Sequence, residues 1–221
     1  MVSIEKDRKG QAPRYIVVEG PIGVGKTTLT RRLARSLQSE PMLEMPAENP
    51  FLERFYHAPR QYALPTQLFF LFQRVRQLER LSQKDMFRPS WISDFFLEKD
   101  LLFAELNLDD DELGLYRQVY SALAPQVPTP DLVVFLQAGV DVLVDRIRRR
   151  GVSFEQQVSY DYLERLVDSY ARFFLRYNRA PLLMVNAEKI NFADSDRDYE
   201  LLLDYIRRTR SGRQFFNPLG E

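Results

Sequence analysis

Residues Gly20-Pro21-Ile22-Gly23-Val24-Gly25-Lys26-Thr27, followed by Thr28, match G-x-x-x-x-G-K-[ST] without a gap, and the spacing carries a chemistry. Glycines let the backbone approach an anion, so its N–H groups can surround phosphate oxygens where a helix begins. Lys26 can then reach the β and γ side of a triphosphate such as ATP, and the Thr27 hydroxyl is a hard oxygen ligand for Mg²⁺. Nucleotide binding follows from this loop more firmly than any particular reaction. A second concentration of charge is arginine: Arg146, Arg148, Arg149 and Arg150 stand just before Gly151.

Such a loop works only between a strand and a helix, and the flanking residues supply both. Tyr15 to Glu19 reads as a strand, and Leu29, Leu33, Ala34 and Leu37 recur on one helical face. Met42 to Met45 predicts a second strand, broken by Pro46 and Asn49-Pro50, and Phe51 to Tyr56 a short helix. Pro65 is expected to open a long helix whose buried stripe is Leu68, Leu71, Phe72, Val75 and Leu78. Further strands are expected at 91–94, 132–136 and 182–185. Helices are expected over 95–106, 112–123, 141–150, 162–177 and 199–208, with Gly151 as a stop. Strands separated by helices predict an α/β fold with a parallel sheet covered on both faces. One domain over residues 1–221 suffices, with 1–13 as a flexible lead-in.

The phosphate loop is followed by EMPAENPFLERFY, PTQLFFLFQR, SDFFLEKDLLFA and RIRRRGVSFEQ. In that order these segments resemble the deoxynucleoside kinase family, especially its bacterial deoxyadenosine/deoxyguanosine kinase-like members, from about Tyr15 to Arg208. The resemblance implies a P-loop kinase fold with a five-stranded parallel sheet and a short arginine-rich lid over 146–156. It also implies transfer of the ATP γ-phosphate to the 5′-hydroxyl of a deoxynucleoside, with a nucleoside monophosphate kinase or a nonenzymatic ATP-binding regulatory module as the alternative readings.

Residue by residue, Glu44 matches the catalytic glutamate, at the end of the second strand, with Glu48 as a nearby competitor. Tyr56 matches the tyrosine on the sugar 3′-hydroxyl, Gln67 the glutamine that reads the base edge, and Arg74 an arginine near both base and carboxylate. Phe70 and Phe72 are candidates for the pocket wall or, equally, for the core. The family's acidic-Arg-Ser pattern is replaced by Asp94-Phe95-Phe96. Asp94 can organise Mg²⁺ or phosphate through water, and Lys99 can fold toward the charge that the absent arginine would meet, without arginine's rigid donor fork. No residue near Lys99 is an evident counterpart of the family's base-recognition carboxylate. Arg146 and Arg150 match lid arginines, whereas a later one falls at Val152; Glu155 matches an acidic residue near the sugar. The stretch from Asn186 to Asn191 resembles the loop enclosing the donor adenine. A homodimer and a purine preference are carried by the resemblance alone.

Composition limits the alternatives. The 221 residues include no cysteine and one histidine, so thiol ligands, disulfides and a multi-histidine metal site are excluded. The 31 basic and 31 acidic residues balance, which gives no large nucleic-acid footprint. His57 has no place in the chemistry. Arginines from Arg207 to Arg213 read as a solvated helix end. No apolar run is long enough to predict a membrane span or a signal peptide, and the cysteine-free composition fits a reducing cytoplasm.

Overall fold

The computed structural model describes residues 15–82, 90–123 and 128–218; the expected lead-in over 1–13 lies outside them. In chain order the elements are β1 (Tyr15–Glu19), α1 (Lys26–Ser36), β2 (Glu40–Met42), α2 (Leu52–His57), α3 (Pro59–Ser82), β3 (Trp91–Ser93) and α4 (Lys99–Asn107). They continue with α5 (Asp110–Leu123), β4 (Leu132–Gln137), α6 (Val140–Arg150), α7 (Tyr160–Arg176), β5 (Leu182–Asn186), α8 (Asp196–Arg208) and β6 (Arg213–Phe216). The strands form one sheet in the order β2-β3-β1-β4-β5-β6, parallel at every pairing.

Alternation along the central strands divides the core in two. Ile16 and Val18 of β1, with Leu132, Val134 and Leu136 of β4, face Leu29 and Leu33 of α1 and Leu202 and Ile206 of α8. Tyr15 and Val17, with Val133 and Phe135, face Leu71 and Val75 of α3 and Leu166, Tyr170 and Phe174 of α7. Each fully buried Leu, Ile or Phe contributes about 1.5–3 kcal/mol. This two-sided burial therefore outweighs the few ladder hydrogen bonds of the three-residue strands β2 and β3. β1 lies between β3 and β4, so the loop after it opens at the carboxyl ends of the strands, where open α/β sheets bind ligands.

The strands and helices fall near their expected positions, with five corrections. The sheet has six strands rather than five, because Arg213–Phe216 pairs with β5 at the edge. Its one deeply buried residue, Phe216, leaves almost no pattern to read. Helix α3 starts at Pro59 and runs through Pro65. An interior proline costs about 3 kcal/mol, which the burial of Ala63, Leu71, Val75 and Leu78 offsets. Phe72, expected in the buried stripe, is 45% exposed. β2 ends at Met42, so Glu44 sits in the loop beyond it and not at the strand end. The basic tail is also more than a solvated helix end, for Arg213 lies in β6 and its guanidinium donates to the carbonyls of Phe174, Leu175 and Tyr177.

Candidate active site

The loop between β1 and α1 has the backbone its sequence requires. Gly25 precedes α1 with φ +106°, and a Cβ there would stand 2.9 Å from the Phe192 ring, so conformation and space both demand glycine. Lys26 folds back, its Nζ donating to the carbonyls of Gly20 at 2.7 Å and Pro21 at 3.2 Å. The Thr27 hydroxyl donates to Asp94 Oδ2 at 2.5 Å. Asp94 Oδ1 accepts the backbone N–H of Glu44 at 2.6 Å, so one carboxylate at the end of β3 ties the phosphate loop to the loop carrying Glu44. Burial raises the Asp94 pKa against the lowering effect of these two hydrogen bonds.

Beside the loop lies a cavity of about 250 Å³. Helix α3 brings Gln67, Phe70 and Arg74 to it, α2 brings Tyr56, and α4 brings Lys99 and Phe103. Arg74 Nε donates to Glu44 Oε1 at 2.9 Å, its Nη2 donates to the same oxygen, and its Nη1 donates to Asp100 Oδ1. Lys99 Nζ stands 3.5 Å from Glu44 Oε1. Burial alone would raise the Glu44 pKa, but Arg74 and Lys99 overcome it and hold the group down to about 2. Burial pushes Asp100 up, with Arg74 and Lys99 opposing. The Phe70 ring sits 4.9 Å from the Arg74 guanidinium, a cation–π contact on the cavity wall.

The segment after α6 closes over this cavity. Gly151 takes φ +68° and ends the helix, which turns the chain into a short 3-10 helix over Ser153–Gln157. Arg150 holds buried Glu155 with two parallel bonds, Nε to Oε2 at 2.9 Å and Nη2 to Oε1. The Phe154 ring stacks on Tyr56, with centroids 6.4 Å apart and an interplanar angle of 9°. On the other side of the loop, a cleft of about 720 Å³ runs along Gly23–Thr28 to the segment from Glu188 to Asp194. Arg146 borders that cleft, donating to Val24 O at 3.2 Å and Ala187 O at 2.8 Å. The cleft and the cavity thus meet at Gly23, Lys26, Thr27 and Arg150.

A profile of the deoxynucleoside kinase family matches residues 16–209. The chain belongs to the deoxynucleoside kinase family. A deoxyguanosine kinase of Bacillus subtilis (strain 168) is 29% identical over 198 residues, covering 87% of this chain and 96% of that one. A deoxyguanosine kinase of Lactobacillus acidophilus is 31% identical over 206 residues, covering 86% and 88%. Among solved structures, deoxyadenosine kinase from M. mycoides, with the products dCMP and a flexible dCDP bound, superposes with a TM-score of 0.76 at 25% identity. It covers 87% of this chain and 98% of its own. This deoxynucleoside kinase is an ATP-dependent enzyme that phosphorylates the 5′-hydroxyl of a deoxynucleoside, giving the 5′-monophosphate.

Within the kinase, the cavity gathers Lys26, Thr27, Glu44, Tyr56, Gln67, Arg74, Asp94, Lys99, Arg150 and Glu155. Arg146 lines only the neighbouring cleft, and Arg149 borders it too. Glu48 is directed elsewhere, accepting from Gln73 Nε2 at 3.0 Å, and Phe72 lies on the exposed side of α3. Phe95, which fills the place of the family arginine, is fully buried in the core. The sequence reading missed two carboxylates. Asp100, next to Lys99, pairs with Arg74. Glu19, fully buried, faces Lys99 Nζ at 3.6 Å. A signal for Asp100 existed in its adjacency to Lys99 at the start of a helix. For Glu19 the signal was its β1 parity with Tyr15 and Val17, which points it toward α7.

Proposed function

We propose that Glu44 is the general base of the transfer and that the cavity beside it takes the deoxynucleoside. The observation that carries this is a carboxylate kept ionised by Arg74 and Lys99, in the same cavity as Lys26 and Thr27. As the 5′ oxygen bonds to the γ-phosphorus, the bond from phosphorus to the β–γ bridging oxygen breaks. The hydroxyl proton passes to Glu44, and the bridging oxygen leaves with its electron pair on ADP. Lys26, Arg146 and Arg150 offer positive charge to the transferring group. Tyr56 and Glu155 take the sugar 3′-hydroxyl, and Gln67 with the Arg74–Asp100 pair takes the base edge.

The oxygen donors of Thr27 and Asp94, 2.5 Å apart beside the phosphate loop, fit Mg²⁺ as a hard cation shared with phosphate oxygens. When bound there, the ion would neutralise phosphate charge.

Residues 146–156 act as the lid of a single-domain enzyme. A purine is the preferred base, a reading supported by relatives named deoxyguanosine kinases. A homodimer is supported by the exposed Phe72 on α3 and Leu115 on the adjoining α5; light scattering measures it directly. No helix among the described residues is long and apolar enough to cross a membrane. The absence of cysteine fits a cytoplasmic, reducing setting.

Glu44→Gln keeps the shape and removes the base. Its kcat is expected to fall by about 10²–10⁴-fold, with ATP binding and melting temperature held. Unchanged turnover in the folded variant would remove Glu44 from the role. A panel of deoxynucleosides and their monophosphates, read as ADP release and product mass, tests the acceptor site. Preference for pyrimidine acceptors would overturn the base assignment alone.

A further inference from the structure

Glu19 is the last residue of β1, directly before the phosphate loop, and it is fully buried. Its Oε1 accepts two hydrogen bonds, from the Gly20 N–H at 2.8 Å and from the Tyr170 hydroxyl at 2.9 Å. Tyr170 is itself fixed by packing, stacked on Phe135 at 5.9 Å and edge-on to Phe103 at 6.1 Å. The second oxygen, Oε2, is buried and accepts no hydrogen bond. A buried carboxylate oxygen left in that state is costly and calls for an explanation. What it faces is the Lys99 ammonium at 3.6 Å, and Glu44 Oε1 stands 3.5 Å from the same ammonium.

We propose that Glu19 is a positioning residue for phosphoryl transfer, acting through Lys99. The lysine side chain is only 3% exposed and is drawn toward two carboxylates at nearly equal distance, so it is committed to neither. Glu44 is anchored by Arg74, which donates twice to the same Oε1 that Lys99 faces, and Glu19 by Gly20 and Tyr170, which leaves Lys99 as the movable member. Without the charge of Glu19, Lys99 collapses onto Glu44. That move weakens Glu44 as a proton acceptor. Attached by Oε1 to the first N–H of that loop, Glu19 also links the place of Lys99 to the place of the donor phosphates. The inference rests on Glu44 being the base.

The test is a double-mutant cycle with Glu19→Gln, Lys99→Met and the combination, measured beside the unaltered enzyme and Glu44→Gln. Glu19→Gln is nearly isosteric and retains an oxygen for Gly20 and Tyr170. Its kcat is expected to fall by about 10²-fold, the cost of misplacing a group near the reaction by about an ångström. The KM for the deoxynucleoside is expected to stay within about twofold, since the loss falls on the transition state. Adding Glu19→Gln to Lys99→Met is expected to cost nothing further, because Glu19 acts only through the lysine.

Full turnover in folded Glu19→Gln overturns the proposal, and so do losses that multiply in the double variant. Should Glu19→Gln melt at a lower temperature than the reaction requires, Tyr170→Phe decides instead. It frees Glu19 on one side and is expected to lower kcat about threefold to tenfold with Lys99 present, and not at all in Lys99→Met. Equal effects in both backgrounds mark a merely structural tyrosine and overturn the proposal. If Glu44→Gln retains full activity, the base assignment fails; if only Glu19→Gln does, the positioning role fails alone.

Discussion

Lys26 donates its hydrogen bonds to the carbonyls of its own loop, and that posture has a pH signature. Burial lowers its pKa to about 8, against Glu19, Glu44 and Asp94, which raise it, and with Lys99, which lowers it further. Above that pH the amine of the free enzyme is neutral and attracts a triphosphate less. Accordingly kcat/KM for ATP is expected to decline as pH rises through about 8. Glu44, held at about 2, stays ionised through the whole neutral and mildly acid range and adds no acid limb there. A profile of kcat/KM for ATP that stays level well above pH 8 would remove Lys26 from control of donor binding. The loop residues were legible because their chemistry is written in contiguous positions. Asp100 and Glu19 were not, since each acquires meaning from a partner supplied by another element, Arg74 on α3 for the first and Lys99 on α4 for the second.

Among the helices, two glycines separate space from conformation. Gly114 lies inside α5, exposed, with nothing within 4 Å of a Cβ built there. Gly114→Ala is expected to stabilise the protein by about 0.5–1 kcal/mol, through lower entropy of the unfolded chain. Gly151 has equally open surroundings but φ +68°. Gly151→Ala is therefore expected to destabilise by about 1–2 kcal/mol and to disturb the turn that sets Arg150 against Glu155. Urea denaturation of the two variants, with opposite signs expected, checks the pair. Hydrophobic spacing located every helix of the sheet's two faces, and Gly151 marked the end of α6 as read. Spacing could not locate the start of α3, because what carries that helix through Pro65 is packing by Ala63 and by residues further along. Nor could it reveal β6, whose edge position buries a single phenylalanine deeply.

Across the molecule, the order β2-β3-β1-β4-β5-β6 sets the end of β1 between the ends of β3 and β4. Asp94, just after β3, thereby meets Thr27, in the first turn of α1 beyond the loop that follows β1, across 67 positions of sequence. Parallel α/β topology was readable from the alternation of strands and helices. That the residues of the cleft and of the cavity belong to one site was readable only through the resemblance of four separated segments. One further connection has a bearing on how the protein comes apart. Arg213 reaches from β6 to three carbonyls at the end of α7, the helix that also carries Tyr170. Native-state hydrogen exchange is expected to show the amides of β5, β6 and the last turn of α7 opening together with one free energy. Replacing Arg213 by Met should split them into separately exchanging groups, and retention of a single opening in that variant would show that the clasp couples nothing.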